Sequence, residues 1–320
     1  MYLLVSETPV AGTVARIATW MSYLTGVLTV PLVRRNYAHN ALPLDYGAFG
    51  ALPNWQGFVA SQVEKSDAIF VHNVFNTELL DVVFSHKRPT ASAFYQYHSP
   101  PFEPPAFFYD VLQAYPFDHV FAVAQGYARF LRGVTPVPNI VPDFRLGITV
   151  PKNDVFLIPH MRSTDFRWSK KLSNDDMIYL TQHSKTFGQY TLSTIKELFR
   201  RDFVTYGELM FFLHSCTGVI DDVNTGLFHQ TSVEGLKAGC AVFCGADLVS
   251  QEEFCRAADA EPLPFVPASS VKDVVEFMQS RQRDIELKKY MSEAAAYSSK
   301  FLGEEILAKR YLACIKSFLN

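Results

Sequence analysis

The sequence predicts an α/β fold with two Rossmann-like parallel-sheet domains facing a cleft. Three observations carry this. Short apolar runs alternate with helical patterns, as expected for parallel strands covered on both faces by helices. The 320 residues suit two domains of about 150 each. A segment with three prolines, Val134-Thr135-Pro136-Val137-Pro138-Asn139-Ile140-Val141-Pro142, interrupts the pattern, and no helix continues through it. The expected divisions are a first domain at 1–140, a second at 141–300, and a helix at 301–320 that packs back toward the first domain.

The elements follow in order. Residues 2–5 form the first strand, and Glu7-Thr8-Pro9-Val10-Ala11-Gly12 turns the chain. A helix follows, with Thr13 as N-cap and Val14, Ile17, Ala18, Met21 and Leu24 on one face. Gly26 is placed to end it. Residues 27–33, 68–72, 91–95 and 120–124 read as further strands. The second series has a strand at 155–158 and a helix near 173–182. Strands follow near 191–198, 217–221, 241–244 and 263–266. The tail from Ser270 is helical, with Leu307, Tyr311, Cys314, Ile315 and Phe318 on one face.

Composition narrows the function classes. Hydrophobic residues at 48% and charged residues at 19% supply ample core. Among the aromatics, 27 Phe and 15 Tyr, most are expected in cores and some along a cleft. A net charge of −3 argues against a protein that coats duplex nucleic acid. No apolar run reaches the roughly 18 residues of a membrane span. Residues 1–7 lack the pattern of a signal peptide, so a cytoplasmic location is expected. The five cysteines are odd in number and include no Cys-x-x-Cys. They are expected to be buried thiols in a reducing compartment rather than disulfides or zinc ligands.

Four stretches could carry chemistry. The Gly12 turn suits close approach of a phosphate or sugar to the backbone, or simply a tight strand-to-helix turn. His98, in Tyr95-Gln96-Tyr97-His98-Ser99-Pro100-Pro101, follows a strand and so sits at a carboxyl end, where ligands bind. In residues 159–171, four cations, Arg162, Arg167, Lys170 and Lys171, follow a strand directly. Such charges suit a departing diphosphate. Arg162 and one of the two lysines are favoured for the phosphate, with the choice between Lys170 and Lys171 open.

The fourth stretch is Asp221-Asp222-Val223-Asn224-Thr225-Gly226-Leu227-Phe228-His229-Gln230-Thr231-Ser232-Val233-Glu234-Gly235. A strand, a polar loop and a helix start would offer backbone N–H groups of Thr225, Gly226 and Leu227 to an anion. Glu234 lies where its carboxylate can accept from ribose hydroxyls. Thr231-Ser232-Val233-Glu234 also fits a capping box, and the two roles are compatible. Asp221 and Asp222 diverge from a strand end, so no metal site is expected there.

The order of these stretches resembles that of retaining glycosyltransferases of the GT-B architecture, particularly short divergent members from polysaccharide clusters and phages. The resemblance implies that the Thr8–Gly12 loop borders donor sugar and acceptor, that His98 contacts the donor sugar, and that Arg162 and Lys170 or Lys171 hold phosphate. It also implies Glu234 on the ribose, a nucleoside diphosphate sugar as donor (UDP-sugar foremost), and no metal or other cofactor. One departure stands out. Many members carry a second glutamate eight residues before the first, and here that position is Gly226, with Asp222, Thr225 and His229 as nearby polar groups.

With retention, the leaving phosphate takes the acceptor proton. With inversion, a base is needed, and His98 or Asp222 is the candidate. A saccharide is the expected acceptor. The rival is a hydroxymethylated pyrimidine in DNA, for which Arg34-Arg35, Lys87-Arg88 and Arg129 with Arg132 are the basic clusters. Residues 1–150 nevertheless hold 9 Lys+Arg against 10 Asp+Glu. A nucleotide-sugar epimerase and a catalytically degenerate nucleotide-sugar-binding protein complete the alternatives.

Overall fold

The computed structural model describes residues 1–36, 48–74, 76–99, 108–144, 150–159, 170–200 and 204–319. Two compact units are present. The first comprises Met1–Ile140, Ala257–Asp259 and Glu305–Asn320, and the second comprises Val141–Arg256 and Ala260–Glu304.

The first unit is built on β1 (Tyr2–Ser6), β2 (Thr29–Val33), β3 (Ala68–His72), β4 (Ser92–Tyr97), β5 (His119–Val123) and β6 (Thr135–Val137). These pair in the order β2-β1-β3-β4-β5-β6, every pairing parallel. Helix α1 (Thr13–Thr25) buries Val14, Ile17, Ala18 and Met21 on Leu4, Phe70, Phe94 and Phe121. Leu24 packs at its margin, so the face expected from the 3.6-residue period is the one that is buried. Helices α2 (Trp55–Val63), α3 (Thr77–His86) and α4 (Phe108–Ala114) complete this series.

The second unit has β7 (Asn153–Ile158), β8 (Thr191–Thr194), β9 (Cys216–Ile220), β10 (Ala241–Cys244) and β11 (Val266–Pro267). Their order is β11-β10-β9-β7-β8, again parallel throughout. Its helices are α5 (Asn174–His183), α6 (Ile195–Phe199), α7 (Tyr206–Ser215), α8 (Gln230–Lys237), α9 (Leu248–Ala258), α10 (Val271–Gln279) and α11 (Arg283–Phe301). Phe156, Ile158, Leu180, Phe187, Phe243 and Val275 form its core. The last helix, α12 (Glu304–Ile315), buries Leu307, Tyr311 and Ile315. Its Tyr311 hydroxyl donates to Gln96 Oε1 at 2.6 Å.

Several local expectations need correction. Thr13 is the first helical residue of α1, and the N-cap is Gly12 at φ 79°, whose backbone leaves no side chain to cap. Gly26 does terminate α1, at φ 69°. The proline segment contains β6, with Pro136 inside it. Proline cannot donate to a ladder, and β6 lies at the sheet edge, where that omission costs least. The strand expected to reach residue 198 stops at Thr194, because Thr194 and Glu197 form a capping box that starts α6. The five cysteines are free, with Cys216, Cys240 and Cys244 buried and Cys255 and Cys314 partly so. Among the described residues no helix is long and apolar enough to cross a membrane.

Gly218 in β9 shows how tightly the second sheet is packed. A Cβ there would lie 2.2 Å from the Phe156 ring and 2.8 Å from the Ala241 carbonyl oxygen. Gly218→Ala should therefore destabilise the fold by about 1–3 kcal/mol through overpacking. Thermal denaturation checks this, and an unchanged Tm would contradict the close approach.

Candidate active site

The loop after β9 is organised by one carboxylate. Asp222 is fully buried. Its Oδ1 accepts from the backbone N–H of Asn224 at 3.0 Å and of Thr225 at 2.9 Å. Its Oδ2 accepts from the Thr225 hydroxyl and from His229 Nε2, the latter at 3.0 Å. Burial raises the pKa of this group, but the hydrogen bonds from His229 and Thr225 outweigh that, and the net shift is downward. Asp222 is thus an ionised anchor with both oxygens committed. The neighbouring Asp221 accepts instead from the Ser232 hydroxyl, so the two carboxylates diverge.

His229 passes this constraint on. A carboxylate only accepts, so His229 Nε2 carries the proton that Asp222 receives. The other ring nitrogen, Nδ1, lies 3.3 Å from Lys171 Nζ. An ammonium only donates, so Nδ1 offers its lone pair, and His229 is the neutral Nε2–H tautomer. Lys171 is 7% exposed, held at the end of this Asp222–His229 chain. Its main chain is tied to the same loop. Asn224 Nδ2 donates to the Lys171 carbonyl at 3.1 Å and to Asp176 Oδ2 at 2.9 Å. Asp176 and Ser173 form the capping box that opens α5.

His229 is also the N-cap of α8, and its side chain caps none of the helix N–H groups. In its first turn Ser232 N and Val233 N donate to the His229 carbonyl at 3.1 and 3.4 Å, and the helix dipole adds partial positive charge at this end. Glu234 lies one turn inside, 2% exposed, accepting from Gln230 Nε2 at 2.6 Å. The capping box expected at 231–234 does not form, because α8 already begins at Gln230. The Glu234 carboxylate therefore does not hold the Thr231 backbone N–H.

Gly226 has a structural reason for being glycine. Its φ is 76°, and a Cβ would lie 2.8 Å from Asp247 Oδ2. Its carbonyl accepts from Asp247 N at 3.0 Å and from the Ser250 hydroxyl at 2.6 Å. A glutamate at 226 would need both a left-handed backbone and displacement of Asp247. Thr225 N and Leu227 N are directed within the loop, toward Asp222 and the Thr225 hydroxyl respectively.

In the first unit, polar groups also gather at carboxyl ends of strands. His72 ends β3 and is fully buried, and its Nδ1 lies 2.9 Å from His98 Nε2. Asn73, at φ 47°, accepts the His98 backbone N–H on its Oδ1 at 2.8 Å and donates from Nδ2 to the Ser99 hydroxyl at 3.0 Å. Burial, helped by the Arg16 charge, pushes the His98 pKa down to about 3. Burial, helped by His98, also holds His72 well below the ordinary imidazole value. The turn before α1 places Val10, Ala11 and Gly12 all at positive φ, a strained run for a β-branched residue.

The structure therefore brings Lys171, Asp222, Thr225, Gly226, Leu227 and Glu234 into one part of the second unit. Gly12 and His98 lie in the first unit. Lys170 is half-buried beside Lys171 in sequence. Arg162 and Arg167 lie outside the described residues. The residue that sequence reasoning passed over is His72. Its signal was the same as for His98: a histidine closing an apolar run, Ala68-Ile69-Phe70-Val71-His72.

No family model and no curated protein matches the chain. Solved structures do. The chain is similar to a glycosyltransferase from Rickettsia africae ESF-5, at 12% identity, covering 100% of this chain and 98% of that one, with a TM-score of 0.60. It is similar to HepE from Anabaena, solved with UDP-glucose, at 12% identity, 99% and 100% coverage and a TM-score of 0.62. The chain has the GT-B glycosyltransferase fold. It is also similar to the pneumococcal O-GlcNAc transferase GtfA, solved with UDP and GlcNAc, at 13% identity and a TM-score of 0.54. That likeness covers 83% of this chain and 60% of that one.

His72 and His98 of this GT-B fold make a pH prediction. In the unfolded chain they titrate near 6.5, whereas the folded His98 titrates near 3. Below 6.5 the unfolded chain takes up protons that the folded chain refuses, so stability drops as pH falls from 6.5 toward 3 and is fully present above 6.5. His98→Asn should flatten this dependence. Tm measured between pH 7 and pH 4.5 for both proteins checks it, and parallel curves would contradict it.

Proposed function

We propose that the chain is a glycosyltransferase that moves a sugar from UDP-sugar to a hydroxyl of a saccharide, with retention at the anomeric carbon. The observation that carries this reading is the buried Lys171 ammonium, aimed by His229 and Asp222 beside the N-terminus of α8. A fixed cation next to a helix start is an arrangement for a diphosphate. Glu234, one turn further along α8, supplies a carboxylate for ribose hydroxyls. UDP as the nucleotude is supported by the complexes of HepE and GtfA, which share this fold.

In this reaction the bond from the anomeric carbon to the diphosphate oxygen breaks, and a bond to the acceptor oxygen forms. Negative charge grows on the departing diphosphate. Lys171 and the positive end of the α8 dipole offset it without moving, because the Asp222–His229 chain has already fixed the ammonium. The acceptor proton passes to a diphosphate oxygen. Retention is supported because the proposed bases are poorly suited to their task. Asp222 is fully buried with both oxygens occupied, and His98 is held neutral with a pKa near 3. Lys171 is assigned to the phosphate ahead of Lys170 on the same geometry.

A saccharide acceptor is favoured over DNA by the state of the first unit's basic clusters. Arg35 pairs with Glu7 at 3.0 Å, Arg34 with Glu78 at 3.3 Å and Arg88 with Asp67 at 2.7 Å. These cations already face carboxylates of their own unit, which weakens them as a phosphate-backbone groove.

The direct test is ligand binding followed by turnover. UDP should raise the Tm, since a ligand that binds only the native state stabilises it. Lys171→Met should weaken UDP binding about 10- to 100-fold, the worth of a charge-assisted contact, while leaving the unliganded Tm nearly unchanged. Glu234→Gln should lower affinity for UDP but not for inorganic diphosphate. If no nucleoside diphosphate shifts the Tm of the wild-type chain, the proposed function is wrong.

A further inference from the structure

The His72–His98 pair in the first unit has a feature that Lys171 and Glu234 leave unused. Both rings are neutral, and they share one hydrogen bond, from one of the two facing nitrogens to the other. His72 Nε2 is buried without a hydrogen-bond partner. Two tautomeric arrangements satisfy the shared bond. In one, His98 Nε2 carries the proton and donates to His72 Nδ1. His72 must then carry its own proton on Nε2, leaving a buried N–H donor with no acceptor. In the other, His72 Nδ1 carries the proton and donates to His98 Nε2. His72 Nε2 is then only an unfilled lone pair, and His98 carries its proton on Nδ1.

Orphaned buried N–H groups are rarer in proteins than under-satisfied acceptors, which favours the second arrangement. We propose that His72 is a positioning residue that locks His98 in the Nδ1–H tautomer, so that His98 donates a hydrogen bond to a hydroxyl oxygen of the sugar substrate. Nδ1 is the ring nitrogen of His98 not engaged by His72, and His98 is partly exposed. The clamp of Asn73 on the His98 backbone N–H fixes the main chain of the same residue. His98 is thereby a fixed donor and cannot serve as a base. The sugar as ligand rests on the glycosyltransferase reading; the tautomer does not.

The two parts are tested separately. Nitrogen–proton correlation NMR on the 15N-histidine-labelled wild-type chain at pH 7 reads the tautomer. His98 and His72 should both be neutral and protonated on Nδ1. A His98 proton on Nε2, or an imidazolium, would overturn the lock. Kinetics then read its purpose. His72→Asn places an amide N–H where Nδ1 stood and should keep wild-type kcat and KM within about threefold. His72→Leu removes the donor and should cost about tenfold in kcat/KM, the worth of one hydrogen bond. A folded His72→Leu with unchanged kcat/KM, or His72→Asn no better than His72→Leu, would overturn the positioning role. Should the wild-type chain itself transfer no sugar, the glycosyltransferase reading fails while the NMR result still decides the tautomer.

Discussion

The second unit depends on one buried negative charge. Asp222 stands at the end of β9 with four hydrogen bonds directed at it, two from the backbone of the following loop and two from side chains. A carboxylate taken out of water is costly unless its oxygens are filled. The loop folds so as to fill them. That requirement turns Asn224 and Thr225 inward, sets His229 as the N-cap of α8, and selects one tautomer of its ring. Through that ring it aims Lys171. A local need for hydrogen-bond partners thus fixes an ammonium in place, which in the proposed reaction would stabilise growing anionic charge without reorganisation.

The first unit solves a related problem without charge. His72 and His98 are held neutral by burial and share a single proton-mediated contact. In both units the groups lie where parallel strands end, as expected for α/β sheets. The difference in ionisation suits different partners. An ammonium backed by a carboxylate matches a diphosphate. A neutral N–H matches a hydroxyl, which a charged group would bind with less directionality.

Much of this was legible in the sequence, for physical reasons that can be named. Parallel strands buried on both faces are continuous apolar runs, so residues 68–72 and 241–244 stand out. The buried stripe of α1 follows from its period, and Gly26 from the left-handed terminus it forms. The limits are instructive too. Three Thr-x-x-Glu motifs do not behave alike, and Thr205 with Glu208 caps α7. Thr194 and Glu197 cap α6 and cut a strand short, whereas Thr231 and Glu234 lie inside α8. The motif is the same, but at 231 the bond from His229 to Asp222 has already fixed the helix start. A contact seven residues apart decides what four residues cannot. The proposed preference for Lys171 over Lys170 likewise rests on where His229 lies, a contact that the spacing of the two lysines does not carry. The glycine at 226 was visible as a departure, but its cause, Asp247 against the backbone, is a contact across 21 positions.

The central claim is that Asp222 builds the nucleotide site rather than acting on the substrate. Calorimetric titration of UDP into the wild-type chain and into Asp222→Asn tests it most directly. The amide keeps the shape but cannot accept from His229 and from the loop N–H groups on both of its heavy atoms. UDP affinity should fall at least about tenfold while near-ultraviolet circular dichroism stays native-like. Wild-type affinity in a natively folded Asp222→Asn would contradict the account.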